Sequence, residues 1–224
     1  FSTFMKVNGL EIKWLGHSGF LIKNHKTIYV DPYNIKDDME KADVILITHS
    51  HYDHCSIVDI EKIAHSGTIV ILPPDCQSKI TKLENVEMQI MIPGDEINIA
   101  GIKVQAVPAY NKSSEFHTKN EEWNGYVLKF DKVIIYHAGD TDFIDEMQKL
   151  SGYGKQGNEF VALLPVGGKY TMDAVEAANA ASVIKPIIAI PMHYGVIVGG
   201  KADAEMFVKL CGEKGVKAEI LEKI

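Results

Sequence analysis

Apolar residues in this chain come in short bursts, not long stripes. Leu10–Leu15, Phe20–Lys23 and Thr27–Val30 are rich in β-branched and aromatic residues. Gly16-His17-Ser18-Gly19 and Asn24-His25 separate them, so three strands joined by two turns are predicted. Asp31-Pro32 ends the third, because the residue before a proline is driven out of the helical region. Residues 42–48 are apolar at nearly every position and too few for a helix, the mark of a buried strand. Ile57–His65 carries apolar residues at 57, 60, 63 and 64, a helical spacing, and Thr68–Leu72 returns to strand before Pro73-Pro74.

The alternation then repeats. Val86–Ile92, Glu96–Ile99 and Ile102–Val107 read as strands turned at Pro93-Gly94-Asp95 and Ala100-Gly101. Tyr126–Phe130 and Val133–Tyr136 form another hairpin about Asp131-Lys132, and Thr141 or Asp142 can cap a helix over 143–150 that Gly152-Tyr153-Gly154 ends. Phe160–Val166 and Pro186–Met192 read as buried strands, with an Ala-rich helix, Asp173–Ile184, between them. Ala202–Cys211 reads as a helix stopped by Gly212, and 216–221 as a last strand; Phe1–Phe4 stay outside this reading. Strands feeding helices twice over predict an α/β chain. We expect a single domain over 1–224, built of two similar halves at roughly 5–85 and 86–224. Each half supplies a mixed sheet, and the two sheets pack face to face with helices outside. A single doubly wound sheet fits less well: hairpins are many, and no Gly-rich phosphate loop follows the first strand.

Composition narrows the class. The chain has 224 residues, 46% hydrophobic and 24% charged, enough for a sizeable core and ordinary for a soluble globular protein. A net charge of −7 leaves no basic footprint for nucleic acid or an anionic membrane, so a small molecule is the expected partner. A homo-oligomer is compatible with this balance. Cys55, Cys76 and Cys211 are odd in number and lack C-x-x-C spacing, which points to reduced thiols. No apolar run reaches the length of a membrane span, and a cytoplasmic location is the default expectation.

The chemistry concentrates at Thr48-His49-Ser50-His51-Tyr52-Asp53-His54, just past the strand at 42–48. Residues two apart in extended backbone face the same way, so His49 and His51 can reach one metal ion. The chain then turns, and Asp53 and His54 can serve a second ion nearby. With nine histidines in the chain, H-x-H-x-D-H should arise by chance in on the order of one such chain in a thousand. Two ions need more donors than one loop supplies, and three further places sit at strand ends. One is His137-Ala138-Gly139-Asp140, where Asp140 can offer one oxygen to each ion. Another is His193. The third is the loop Ala109–His117, where His117 and Asn111 compete for one position. Cys55 touches the motif, but the residues before it already fill the pattern.

The same residues carry a resemblance. H-x-H-x-D-H at this strand end resembles the metallo-β-lactamase superfamily. Trp14-Leu15-Gly16-His17-Ser18-Gly19-Phe20, Asp31-Pro32, Tyr136–Asp142 and Leu164–Gly168 extend it over nearly the whole chain. Together they resemble the group of metal-dependent hydrolases that includes L-ascorbate-6-phosphate lactonase and, more distantly, N-acyl-phosphatidylethanolamine phospholipase D. The resemblance implies the four-layer αβ/βα sandwich. It also implies a ligand set: His49, His51 and the middle histidine, here His117, on one metal; Asp53, His54 and His193 on the second; Asp140 between them. Zinc is the ion expected first, with manganese, iron or nickel able to use similar ligands.

Around that set, Asp31 can fix the tautomer of a ligating histidine, and His17 sits in a turn beside the same sheet edge. His137 packs beside the site or bonds a ligand. Lys169, in Gly167–Asp173, can hold an anion near a helix N-terminus, with a plain turn capped by Thr171 or Asp173 as the alternative. Tyr110 and Tyr194 stand beside site positions. The expected reaction is hydrolysis of a small ester, lactone, amide or phosphodiester by a metal-bound hydroxide, with Asp53 aligning it or relaying its proton. A mononuclear iron sulfur-dioxygenase and a non-catalytic metal-binding domain are the alternatives.

Overall fold

A computed structural model describes residues 1–224. The first sheet runs in chain order: β1 (Met5–Val7), β2 (Leu10–Gly16), β3 (Gly19–Lys23), β4 (Thr27–Val30), β5 (Val44–Leu46), β6 (Ile69–Leu72) and β7 (Glu87–Ile90). Its pairs are antiparallel up to β4 and parallel from β4 onward. The second sheet contains β8 (Glu96–Ile99), β9 (Ile102–Pro108), β10 (Asn124–Lys129), β11 (Val133–His137), β12 (Glu159–Pro165) and β13 (Ile188–Met192), again in chain order. It is antiparallel from β8 to β11 and parallel from β11 to β13.

Period-two burial decides what each face meets. Val44, Leu46, Ile28 and Val30 join the core between the sheets, with Val104, Tyr126 and Leu128 from the second sheet. Their neighbours Ile45, Ile47 and Tyr29 face the other way, onto α1 (Ile57–Ile63) and α2 (Gln77–Ile80). On the far side, α3 (Ala174–Ile184) packs with α4 (Lys201–Glu213), and its small residues Ala177, Ala178 and Ala181 are fully buried. Two mixed sheets with helices outside form the αβ/βα sandwich. The sheets change over between Ile90 and Glu96.

Four elements differ from the sequence reading. The predicted helix over 143–150 is a 3₁₀ helix, Asp145–Gly152, begun without a side-chain cap. Its expected caps are engaged elsewhere: Thr141 Oγ1 accepts from the Tyr110 N–H (3.1 Å), and the Asp142 carboxylate accepts from Asn111 Nδ2 (2.9 Å) and the Lys112 N–H (2.8 Å). The predicted strand at 216–221 makes only isolated bridges, because the tail crosses from Ala189 in β13 to Ser2 and Trp14 beside the first sheet. The helix expected to stop at Gly212 runs through it to Glu213. β1 went unpredicted; it is three residues long, and its signal is Asn8-Gly9, both at positive φ, as a tight hairpin turn requires.

No helix is long and apolar enough to cross a membrane.

Candidate metal centre

The loops after β4, β5, β11 and β13 gather at one edge of the sandwich. Asp31, directly after β4, is fully buried and organises the β5 loop. It accepts from the Thr48 N–H (2.9 Å), from Thr48 Oγ1 (2.6 Å) and from His54 Nδ1 (2.7 Å). A carboxylate can only accept here, so His54 carries its proton on Nδ1 and leaves the Nε2 lone pair free. The chain then reverses, with the His54 and Cys55 N–H groups both on the His51 carbonyl at 3.0 and 2.8 Å.

The second sheet approaches through unusual backbone. Gly139 has φ +66, and a Cβ there would lie 2.7 Å from the Asn124 carbonyl, so only glycine lets Asp140 reach this edge. His193 also adopts positive φ (+59), and its N–H donates to the His17 carbonyl of the first sheet at 2.9 Å. Gly167 makes room for the His193 carbonyl, which would stand 2.2 Å from any Cβ placed there. In the β9–β10 loop, Asn111 Nδ2 donates to Asp142 Oδ1 and the Tyr170 carbonyl, both at 2.9 Å. Its Oδ1 therefore accepts from His117 Nδ1 (2.9 Å), freeing His117 Nε2.

These loops produce two clusters, His49, His51, His117 and Asp140 in one, His17, Asp53, His54 and His193 in the other, with Asp31 grouped behind His49 and His54; the candidate ligand atoms within each group all lie within 4.8 Å of one another. Asp140 stands where they meet. Its Oδ2 is 3.5 Å from His49 Nε2, 3.1 Å from His54 Nε2, 3.1 Å from His117 Nε2 and 3.2 Å from His193 Nε2. Yet His54 Nε2, His117 Nε2 and Asp140 Oδ1 are buried without a hydrogen-bond partner. The atoms are close without pointing at each other. Ligands ~2.0–2.1 Å from a shared tetrahedral ion stand about 3.3 Å apart, so the spacing and the orphaned lone pairs fit a divalent cation.

Protonation agrees with that fit. Burial, reinforced by His54, pushes the His49 imidazole down to about 3. Burial also lowers His51 and His17, so all three present neutral rings. Burial opposes charge on Asp140, but His193, His54 and His49 outweigh it and hold the carboxyl well below its usual range. Asp53 is held low in the same way, chiefly by its bond to His17 (Nε2 to Oδ2, 2.7 Å). His54 moves up against its burial because Asp140 and Asp31 flank it. Ionised Asp140 and Asp53 beside the neutral rings of His49, His51 and His17 make a negative field that attracts a cation, the same field that raises His54.

Of the sequence candidates, His49, His51, Asp53, His54, His117, Asp140 and His193 lie in these clusters, and His17 joins them. Asp31 and Asn111 each hold a histidine tautomer from behind. His137 turns away: its Nε2 donates to the Ser18 carbonyl at 2.8 Å, and its Nδ1 accepts from the Gly139 N–H. Lys169 is exposed, with its ammonium over the Tyr170 ring at 5.0 Å, and Asp173 caps α3 by accepting from the Glu176 N–H. Cys55 packs with Cys76 in the apolar layer under α1 and α2, outside both clusters. Tyr194 stacks on Trp14, and Tyr110 bonds Glu146; neither lines the cleft. Sequence reasoning missed Trp123, whose ring lies 5.0 Å from both His49 and His51 and whose Nε1 donates to Asp75. Its only signal was its rarity.

A cleft of about 210 Å³ opens over the clusters, bordered by His51, Asp53, His117, Asp140 and His193 below and by Tyr52, Phe116, Tyr170 and Ile197 at its mouth. A roomier cavity of about 270 Å³ lies between Tyr136, Met147 and Tyr153, away from every donor.

The comparisons agree with this geometry. The beta-lactamase superfamily domain matches residues 11–193. The chain is similar to a UPF0173 metal-dependent hydrolase of Thermoplasma acidophilum, 36% identical over 96% of this chain and 97% of that one. It is also similar to one of Pyrococcus horikoshii, 36% identical over 92% and 93%. Among solved structures, a metal-dependent hydrolase of Parabacteroides distasonis superposes with a TM-score of 0.83 at 30% identity, covering 98% of each chain. A metallo hydrolase of Ignicoccus hospitalis shares the fold, with a TM-score of 0.77 at 24% identity over 96% and 95%. The chain belongs to the metallo-β-lactamase superfamily and, with its UPF0173 relatives, is a metal-dependent hydrolase.

Proposed function

We propose that this single domain is a dinuclear hydrolase acting on a small ester, lactone, amide or phosphodiester. His49, His51 and His117 would hold one ion and Asp53, His54 and His193 the other, with Asp140 shared and zinc the expected metal. The observation that carries the reading is the convergence of four imidazole Nε2 atoms on Asp140 Oδ2 at 3.1–3.5 Å, from loops of both sheets. Two bound ions would supply Lewis acidity and a water of lowered pKa.

The chain's own groups do the rest. Asp31 and Asn111 keep His54 and His117 in the tautomer that presents Nε2. His17 bonds Asp53 Oδ2, the oxygen 3.2 Å from His54 Nε2, and so fixes the carboxylate that would hold the ion and align the water or relay its proton. Trp123 packs against the His49 and His51 rings and supports them from one side.

The test is metal content per chain, by mass spectrometry, on protein purified without chelator and reloaded with zinc. About two ions in the wild type and about one in His51→Ala are expected, alongside hydrolysis of activated esters or phosphodiesters. A single iron per chain would favour the oxygenase. Full turnover in Asp53→Ala would overturn the mechanism.

A further inference from the structure

The dinuclear reading leaves four substrate classes, and the mouth of the cleft separates them. Tyr52 is 65% exposed, Phe116 50% and Ile197 38%, and Phe116 meets Tyr170 edge-to-face at 4.7 Å. Large apolar side chains held at the surface around a reactive centre mark a ligand-contact surface.

What surrounds them is equally informative. All 23 basic side chains of the chain are lysines; it contains no arginine. No forked guanidinium is available to grip a phosphate or carboxylate, and no lysine borders the cleft. Lys169 lies against the ring of Tyr170 in solvent. The loop that follows β12 is no anion cradle either. Four of its N–H groups are already engaged: Gly168 to the Met172 carbonyl (3.1 Å), Tyr170 and Thr171 to the Gly168 carbonyl (2.6 and 3.4 Å), and Met172 to the Thr141 carbonyl (2.9 Å). The N-terminus of α3 is closed by Asp173.

We propose, resting on the hydrolase reading above, that the substrate is an uncharged carbonyl compound, an ester, lactone or amide, with an aromatic or branched apolar group beside the scissile bond. That group rests against the Phe116–Tyr170 pair, with Tyr52 and Ile197 also at the mouth. Phosphorylated and carboxylated substrates are disfavoured. At about 210 Å³ the cleft takes the reacting carbonyl and its nearest atoms, and the apolar group rests on the mouth.

Hydroxamates test this without turnover, because they chelate a divalent ion and carry the side group alongside. Zinc-loaded protein is titrated by calorimetry with acetohydroxamate, benzohydroxamate and 4-carboxybenzohydroxamate. Benzohydroxamate should bind about ten-fold tighter than acetohydroxamate, a gap of about 1.4 kcal/mol, and at least as tightly as its carboxylated form. The Phe116→Ala/Tyr170→Ala double variant should bring the first two affinities within about two-fold, whereas Lys169→Ala should leave the wild-type ranking unchanged. Equal binding of aliphatic and aromatic hydroxamates would overturn the proposal, as would a preference for the carboxylated compound that Lys169→Ala removes. In either case the metal centre would stand. Binding of none of the three by protein that carries its ions would sink the hydrolase reading and this inference with it.

Discussion

The two sheets supply the site by opposite means. The first sends His49, His51, Asp53 and His54 from one short loop, pinned from beneath by the Asp31 carboxylate. The second sends His117, Asp140 and His193 from three separate loops: the Asn111 amide holds His117, while positive φ at Gly139 and His193, and a His193 carbonyl that passes over Gly167, bring in the other two. Side-chain hydrogen bonds organise the first half of the centre and, through Asn111, His117 of the second, whereas close backbone approach places Asp140 and His193. Polar substitutions should therefore weaken the first side through metal affinity, and steric ones should weaken the second through stability.

Asp140→Ala breaks the comparison hardest, since the carboxylate within 3.5 Å of imidazoles from both clusters, the one we propose is shared, is lost. We expect metal content to fall below one ion per chain and turnover to drop by at least about 10³-fold, with the far-ultraviolet circular dichroism unchanged. Two retained ions would dissolve the idea of a shared carboxylate. Asp53→Ala strikes one cluster only: about one ion stays, and turnover falls roughly 10²–10⁴-fold. Next, Asp31→Asn leaves every proposed ligand in place but loses a buried acceptor. Competition with a chromogenic chelator should show metal affinity weaker by about 10–100-fold, with Asn111→Ala at the lower end of that range. On the second side, Gly139→Ala should cost roughly 2–3 kcal/mol, read as a Tm lower by about 5–10 °C. Gly101→Ala sharpens the point, because its φ is +79 but nothing lies within 4 Å of the added Cβ. Only the backbone cost of about 1 kcal/mol should appear there.

The same division explains what the sequence made legible. The first side was readable because its donors are neighbours, and strand period two alone relates His49 to His51. The sheets were readable from short apolar runs punctuated by Gly, Pro and Asn. On the second side, Asp140 and His193 could be placed at strand ends, but their meeting depends on which strands lie adjacent, a property of the whole fold. The choice between His117 and Asn111 needed the hydrogen bonds of the Asn111 amide. Helix capping misled at Thr141 and Asp142, because capping residues also stitch loops, and here the Tyr110–Lys112 segment won them. Trp123 carried no local pattern at all.

That tryptophan has a practical consequence. The chain has two indoles, Trp14 stacked on Tyr194 at 4.9 Å and Trp123 pressed against the rings of His49, His51 and His117. The protein thus carries two intrinsic fluorophores. One stands beside the donors and the other stands where the carboxy-terminal tail crosses between the sheets at Trp14. Filling the centre should alter the quenching of Trp123 more than the emission of Trp14, whose indole N–H reaches only the His17 carbonyl. A Trp14→Phe chain would then report its own loading by light, with no label attached.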